Sequence, residues 1–140
     1  MKDALFMVEI LAGFIVVFSI LWSGICFLIA WVSGWRHLAS LYQTTPLKEG
    51  FYTGIYGRIG LANYNGVLRL GFSEKGMYLH VMPLFKLGHD ALLIPWSELK
   101  NVQQSNSIFG NYVKCKVDGV TISLPYKHFG TLQSYLSAYT

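Results

Sequence analysis

From Ile10 to Trp35 the chain carries no charged residue, a run of about 26 positions. A helix crosses the hydrocarbon core of a bilayer with about 20 apolar residues, so this run spans it and leaves room for tilt or for the interface. A cleaved leader competes for the same residues; it wants a basic start, an apolar stretch of about 7–15 residues and a small-x-small exit. Here Lys2 is offset by Asp3 and followed by Glu9, and the apolar run is about twice too long. A retained anchor is therefore expected. Of 140 residues 53% are hydrophobic and 13% charged, and setting the anchor aside leaves about 100 residues, enough for one compact core. Arg36, Lys48 and Arg58 follow the helix while Lys2 alone precedes it, which puts the N-terminus outside and the rest in the cytoplasm. The net charge of +4 suits a domain beside anionic headgroups, and equally an ordinary basic membrane protein. Cys26 in the span and Cys115 in the distal region cannot pair within one chain, so no disulfide framework is expected.

The helical pattern runs on through Trp35–Tyr42 with Trp35, Leu38, Leu41 and Tyr42 on one side, which should face the headgroups or lie under the following domain. Residues 1–42 thus read as transmembrane helix and juxtamembrane extension, 43–50 as a linker broken by Pro46 and Gly50, and 51–140 as a β domain. Alternating β-branched and aromatic residues predict strands at Phe51–Leu61, Val67–Phe72, Met77–Val81, Ala91–Pro95, Val102–Ser107, Tyr112–Val117 and Thr121–Leu124. Turns are expected at Asn63-Tyr64-Asn65-Gly66, Glu74-Lys75-Gly76 and Asp118-Gly119, where positive φ is tolerated. A helix from about Tyr126 to Ala138 shows Phe129, Leu132, Tyr135 and Leu136 on one face. The fold class is α+β: one N-terminal transmembrane helix, then a mainly antiparallel β barrel of about seven strands closed by a C-terminal amphipathic helix.

That order of elements, with Gly76-Met77-Tyr78-Leu79 and the segment Leu92-Leu93-Ile94-Pro95-Trp96-Ser97-Glu98-Leu99-Lys100-Asn101-Val102, resembles bacterial pleckstrin-homology-like and GRAM-like domains from about Gly50 to the C-terminus. The strongest part, Ile94-Pro95-Trp96-Ser97-Glu98-Leu99, is a structural signature: a strand ending in one turn of helix. The whole chain is also similar to single-span bacterial membrane proteins of this layout, through Ser33-Gly34-Trp35, Leu38-Ala39, Tyr42, Asn63-Tyr64-Asn65, Pro83-Leu84-Phe85 and Gly88-His89. The resemblance implies a pleckstrin-homology-like barrel at the bacterial inner membrane and bears on fold more than on function.

Within the span, Glu9, Ala12, Val16, Ser19, Ser23, Cys26, Ala30 and Ser33 recur every three or four residues and form one stripe, mostly of small side chains. Such a stripe lets another helix approach closely, with Ser hydroxyls adding about 0.6 kcal/mol each across the contact; the alternative is that Ser and Cys bond their own backbone in a tolerant anchor. Glu9 is either a contact to a partner helix or solvated at the outer interface. In the domain, Arg58, Arg69, Leu84, Phe85 and Lys86 mark a surface for lipid or a partner. Pleckstrin-homology domains that read phosphoinositides gather several cations around the first hairpin turn; here only Arg58 and Arg69 flank it, so weak attraction to anionic lipid is the expectation. The apolar segment Met82–His89 reads as a lip inserting Leu84 and Phe85, or as a loop folded over the open end of the barrel.

Catalytic and metal chemistry find no pattern. His37, His80, His89 and His128 lack ligand spacing, Gly54, Gly57 and Gly60 are not followed by a phosphate-loop lysine, and adjacent His89 and Asp90 should point to opposite faces. Cys115 between Lys114 and Lys116 should alternate into the core. No catalytic residue, cofactor, metal, nucleic acid or small-molecule substrate is expected. The expected function is a non-enzymatic accessory or scaffold subunit of a bacterial inner-membrane complex, docking on another transmembrane protein or a second copy. The alternative is a membrane-tethered module that touches lipid headgroups.

Overall fold

The computed structural model describes residues 1–108 and 110–139. The apolar run forms α1 (Lys2–Ser33), one helix long and apolar enough to cross a membrane. It stops at Gly34, whose φ of 89° is left-handed and whose N–H bonds the Trp31 carbonyl. A side chain there would meet Val120 as well as the backbone penalty, so glycine alone allows the chain to turn at once into α2 (Trp35–Tyr42).

Seven antiparallel strands follow: β1 (Tyr52–Ile59), β2 (Ala62–Phe72), β3 (Met77–Val81), β4 (Leu92–Ile94), β5 (Lys100–Ser107), β6 (Gly110–Val117) and β7 (Val120–Pro125). They form one curled half-barrel in the order β4-β3-β2-β1-β7-β6-β5, with β4 and β5 as edges. A 3₁₀ turn, Tyr126–His128, leads into α3 (Phe129–Tyr139). The α+β architecture expected from the pattern is thus present.

The first hairpin corrects the sequence reading. The reversal lies at Gly60-Leu61, and Asn63-Tyr64-Asn65-Gly66 sits inside β2. The pairing steps from Ile55↔Leu68 to Gly57↔Tyr64, so β2 carries extra residues over the stretch that contains Gly66, at φ +74°. The Asn-Gly pair supplies the positive φ of a bulge, not of a turn. This lengthens β2 and bends the sheet.

The core also takes in more than the strands. Trp35 and Leu38 of α2 are fully buried among Ile59, Leu68, Leu79, Leu92 and Ile122. Past α2, Gln43 bridges Leu92, and Thr44 N–H donates to the Ala91 carbonyl at 2.8 Å. On its other side His37 pairs with Asp118, and Tyr42 lies near enough to Glu98 and Asp118 for their charges to act on its hydroxyl. The extension therefore reaches from the β4 edge to the segments entering β5 and leaving β6, and residues 43 and 44 are strapped to the sheet. A domain drawn from residue 51 leaves out part of its own core. The α3 end is closed by stacked rings of Phe72, Trp96 and Tyr135 and by buried Leu132.

Candidate membrane-facing surface

The last third of α1 is clasped by the β domain. Trp22 Nε1 donates to the Leu84 carbonyl at 3.0 Å and its ring packs on Phe85, centroids 5.2 Å apart. Further along, Gly88 presses on Phe27 and Ala30, and Gly60 on the Ser33 carbonyl, both so closely that a Cβ at either glycine would clash. Cys26, Ala30 and Ser33 are buried as a result. At the elbow a polar chain is sealed among aromatic rings. The Tyr64 hydroxyl lies 3.1 Å from Ser33 Oγ and 2.8 Å from His89 Nε2, while His89 Nδ1 lies 3.1 Å from the Leu87 carbonyl. With Nδ1–H donating to Leu87, Nε2 accepts from Tyr64. Trp35 Nε1 donates to the Asp90 carbonyl at 2.8 Å, and Arg36 pairs with the Asp90 carboxylate at 2.9 Å.

Burial sets the protonation states here. It depresses the His89 and His80 pKa values below the ordinary histidine range, which keeps both rings neutral, and it pushes the Tyr64 hydroxyl up to about 12. A base depressed on folding is protonated more readily in the unfolded chain. The contribution of these histidines is therefore complete above their unfolded pKa and is lost as pH falls toward the folded one.

The expected partner stripe divides in two. Cys26, Ala30 and Ser33 are covered by the chain's own domain and are closed to a second helix, which corrects their reading as part of an open face. Their small size fits the close approach of Gly60 and Gly88. Ser19 and Ser23 donate to the carbonyls of Ile15 and Ser19, at 2.7 and 2.8 Å, as hydroxyls do in a tolerant anchor. Glu9, Ala12 and Val16 stand exposed on the free part of α1.

The domain residues also separate. Arg58 is exposed at the turn end of the first hairpin, while Arg69 lies at the other end with its guanidinium 4.9 Å from the Phe51 ring centroid; the two do not converge. Met82–His89 folds along α1, with Phe85 turned onto Trp22 and the core, so it is not an inserting side chain. Leu84 (66% exposed), Leu87 and Lys86 point away from the domain. Trp31 (74% exposed) on the helix and Leu61 (73%), at the β1–β2 turn beside Ser33, are further large apolar side chains left exposed along the docked stretch of the helix. Sequence reasoning missed Leu61, Gly60 and Gly88. The signal for the glycines was their spacing from small residues of α1, visible only once the strands are placed. Cys115 faces the core, where burial pushes its thiol up to about 12. Among the described residues no group of three or more His, Cys, Asp or Glu side chains is placed to hold a metal ion.

No protein-family model matches the chain, and no curated protein shows significant similarity to it.

Proposed function

We propose that the protein is a non-enzymatic, membrane-anchored module that holds a pleckstrin-homology-like domain flat against the leaflet and works at the headgroup layer. The observation that supports this best is the clasp between Trp22–Ser33 and the loop Met82–His89, because it fixes the depth of the domain relative to the helix. At 1.5 Å per residue, a hydrocarbon core of about 30 Å laid from Lys2 ends near Leu21, and one laid from Glu9 ends near Ile29. Leu84 is held at the level of Trp22, so either placement sets it at or below the hydrocarbon boundary. In the second placement Leu87, next to Gly88 at the Phe27 level, lies at the boundary, and Trp31 and Leu61, about 3–6 Å beyond Ile29, occupy the interface, where amphipathic and apolar side chains are favoured. The packing of Cys26, Ala30 and Ser33 on the domain also supports retention of the anchor, since removing it would uncover the domain surface around Gly60 and Gly88. The cations after the helix support a cytoplasmic domain, and the resemblance of the sequence to single-span bacterial proteins supports the inner membrane as its site.

A depth measurement tests this. A fluorophore attached at Leu84→Cys in the Cys26→Ala, Cys115→Ala background is expected to be quenched by lipids carrying a quencher in the acyl chains. One at Lys75→Cys should respond only to an aqueous quencher. Equal aqueous quenching at both positions would overturn the reading.

The free part of α1 favours a second role, that of accessory subunit, because Glu9 among apolar neighbours carries a cost of up to about 2.5–3.5 kcal/mol that a partner group would relieve. Full-length protein purified in mild detergent is then expected to bring an equimolar membrane protein, or a second copy, which Ala12→Leu with Val16→Leu removes. Recovery unchanged by that pair of substitutions would count against it.

A further inference from the structure

We propose that the outward face of β1, β7 and β6 is a binding site for a phosphate ester. The strand register carries the argument. Arg58 pairs with Asn63 on one side and Ser123 on the other, and Ser123 pairs with Lys114, so these four stand in one row across β2, β1, β7 and β6. Directly paired residues share a face of the sheet, and with neighbouring strands about 4.8 Å apart the Arg58 and Lys114 backbones lie about 10 Å apart, with the Ser123 hydroxyl between. Two residues farther along their strands, Tyr56 and Tyr112 form the next row. The Lys114 ammonium leans toward this side, 5.7 Å from the Tyr112 ring centroid.

These residues line a cleft of about 550 Å³, a size usual for small-ligand sites. Among the described residues no carboxylate lines it, and their ion pairs, Arg36–Asp90 and His37–Asp118, leave Arg58 and Lys114 out. A guanidinium fork, an ammonium, a hydroxyl and an amide in one row along the cleft are a donor set suited to a tetrahedral dianion or diester monoanion. The cleft exceeds a bare phosphate, and the tyrosine rings with Pro125 offer walls to an organic body. The ester is either a lipid headgroup or a soluble molecule. Only the first source rests on the membrane-surface reading: Arg58 and Asn63 directly flank the turn that carries Leu61.

The test uses the full chain in nanodiscs and reads the acylation rate of each lysine by mass spectrometry. Three samples are compared: a phosphate-free galactolipid alone, the galactolipid with phosphatidylglycerol, and the galactolipid with added glycerol phosphate. Protection of Lys114 relative to Lys75 is expected in one or both of the last two. Arg58→Gln should weaken the binding about tenfold, the scale of one lost charged hydrogen bond, whereas Lys75→Gln leaves it unchanged. Protection with phosphatidylglycerol alone assigns a headgroup. Protection with glycerol phosphate alone keeps the cleft as a site while separating it from the membrane-surface reading. Lys114 reacting like Lys75 in every sample, or protection untouched by Arg58→Gln, overturns the proposal.

Discussion

Replacing Trp35 by Ala is expected to destabilise the β domain by about 4 kcal/mol, the scale of a buried tryptophan truncation. Small domains are stable by about 5–15 kcal/mol, so this is a large share of the total. The indole is fully buried in the same cluster as Ile59, Leu79 and Ile122, and its Nε1 donates to the Asp90 carbonyl. Trp35→Phe keeps most of the contact area but orphans that carbonyl, and should cost about 1–3 kcal/mol. The same reasoning applied to a whole segment gives a stronger outcome. A chain begun at residue 51 lacks Trp35, Leu38 and Ala39 and leaves the cluster open beside β4. It is expected to show no cooperative thermal transition and no fixed aromatic circular dichroism, while a chain begun at residue 22 in detergent shows both. A sharp transition in the shorter chain would mean that α2 only rests on the domain.

That result bears on how much of this molecule could be read from its residues. The long apolar helix was legible because a charge-free run of a bilayer's length has few other structural outcomes. The strand order was legible from alternation and turn residues, and Ile94-Pro95-Trp96-Ser97-Glu98-Leu99 marked the strand-to-turn step that the structure shows at β4 and the Trp96–Glu98 turn. What failed was any feature set by tertiary contact. Asn65-Gly66 signals a left-handed residue equally well in a bulge or a hairpin, and only the pairing of Gly57 with Tyr64 tells them apart. The stripe on α1 announced that something comes close, but small side chains do not say what; for Cys26, Ala30 and Ser33 it is the chain's own domain. Arg58 looked like one scattered cation because Lys114 lies 56 positions away in sequence, and two strand pairings through Ser123 bring them into a row.

The clasp makes α1 and the domain one mechanical unit, and Gly60 is where this can be broken with least collateral damage. Its φ of +58° is left-handed, and a Cβ there would be driven into the Ser33 carbonyl. Asn tolerates the left-handed region, so Gly60→Asn isolates the clash from backbone strain. Overpacking against main chain has no flexible side chain to yield, and the expected loss is about 3 kcal/mol, the upper part of the usual range. Gly54 supplies the control: its φ is +69°, but a Cβ there would meet nothing closer than 4.0 Å, and Gly54→Asn should leave stability nearly unchanged. Thermal unfolding of the full chain measures the first effect, with a fall of about 15 °C expected for Gly60→Asn. Spin labels at Leu21→Cys and Lys75→Cys, in a chain with Cys26 and Cys115 replaced by Ala, measure the second: a narrow distance distribution that broadens in Gly60→Asn and stays narrow in Gly54→Asn. If the distribution is already broad without either substitution, the helix and the domain move independently, and the depth of Leu84 is no longer fixed by Trp22.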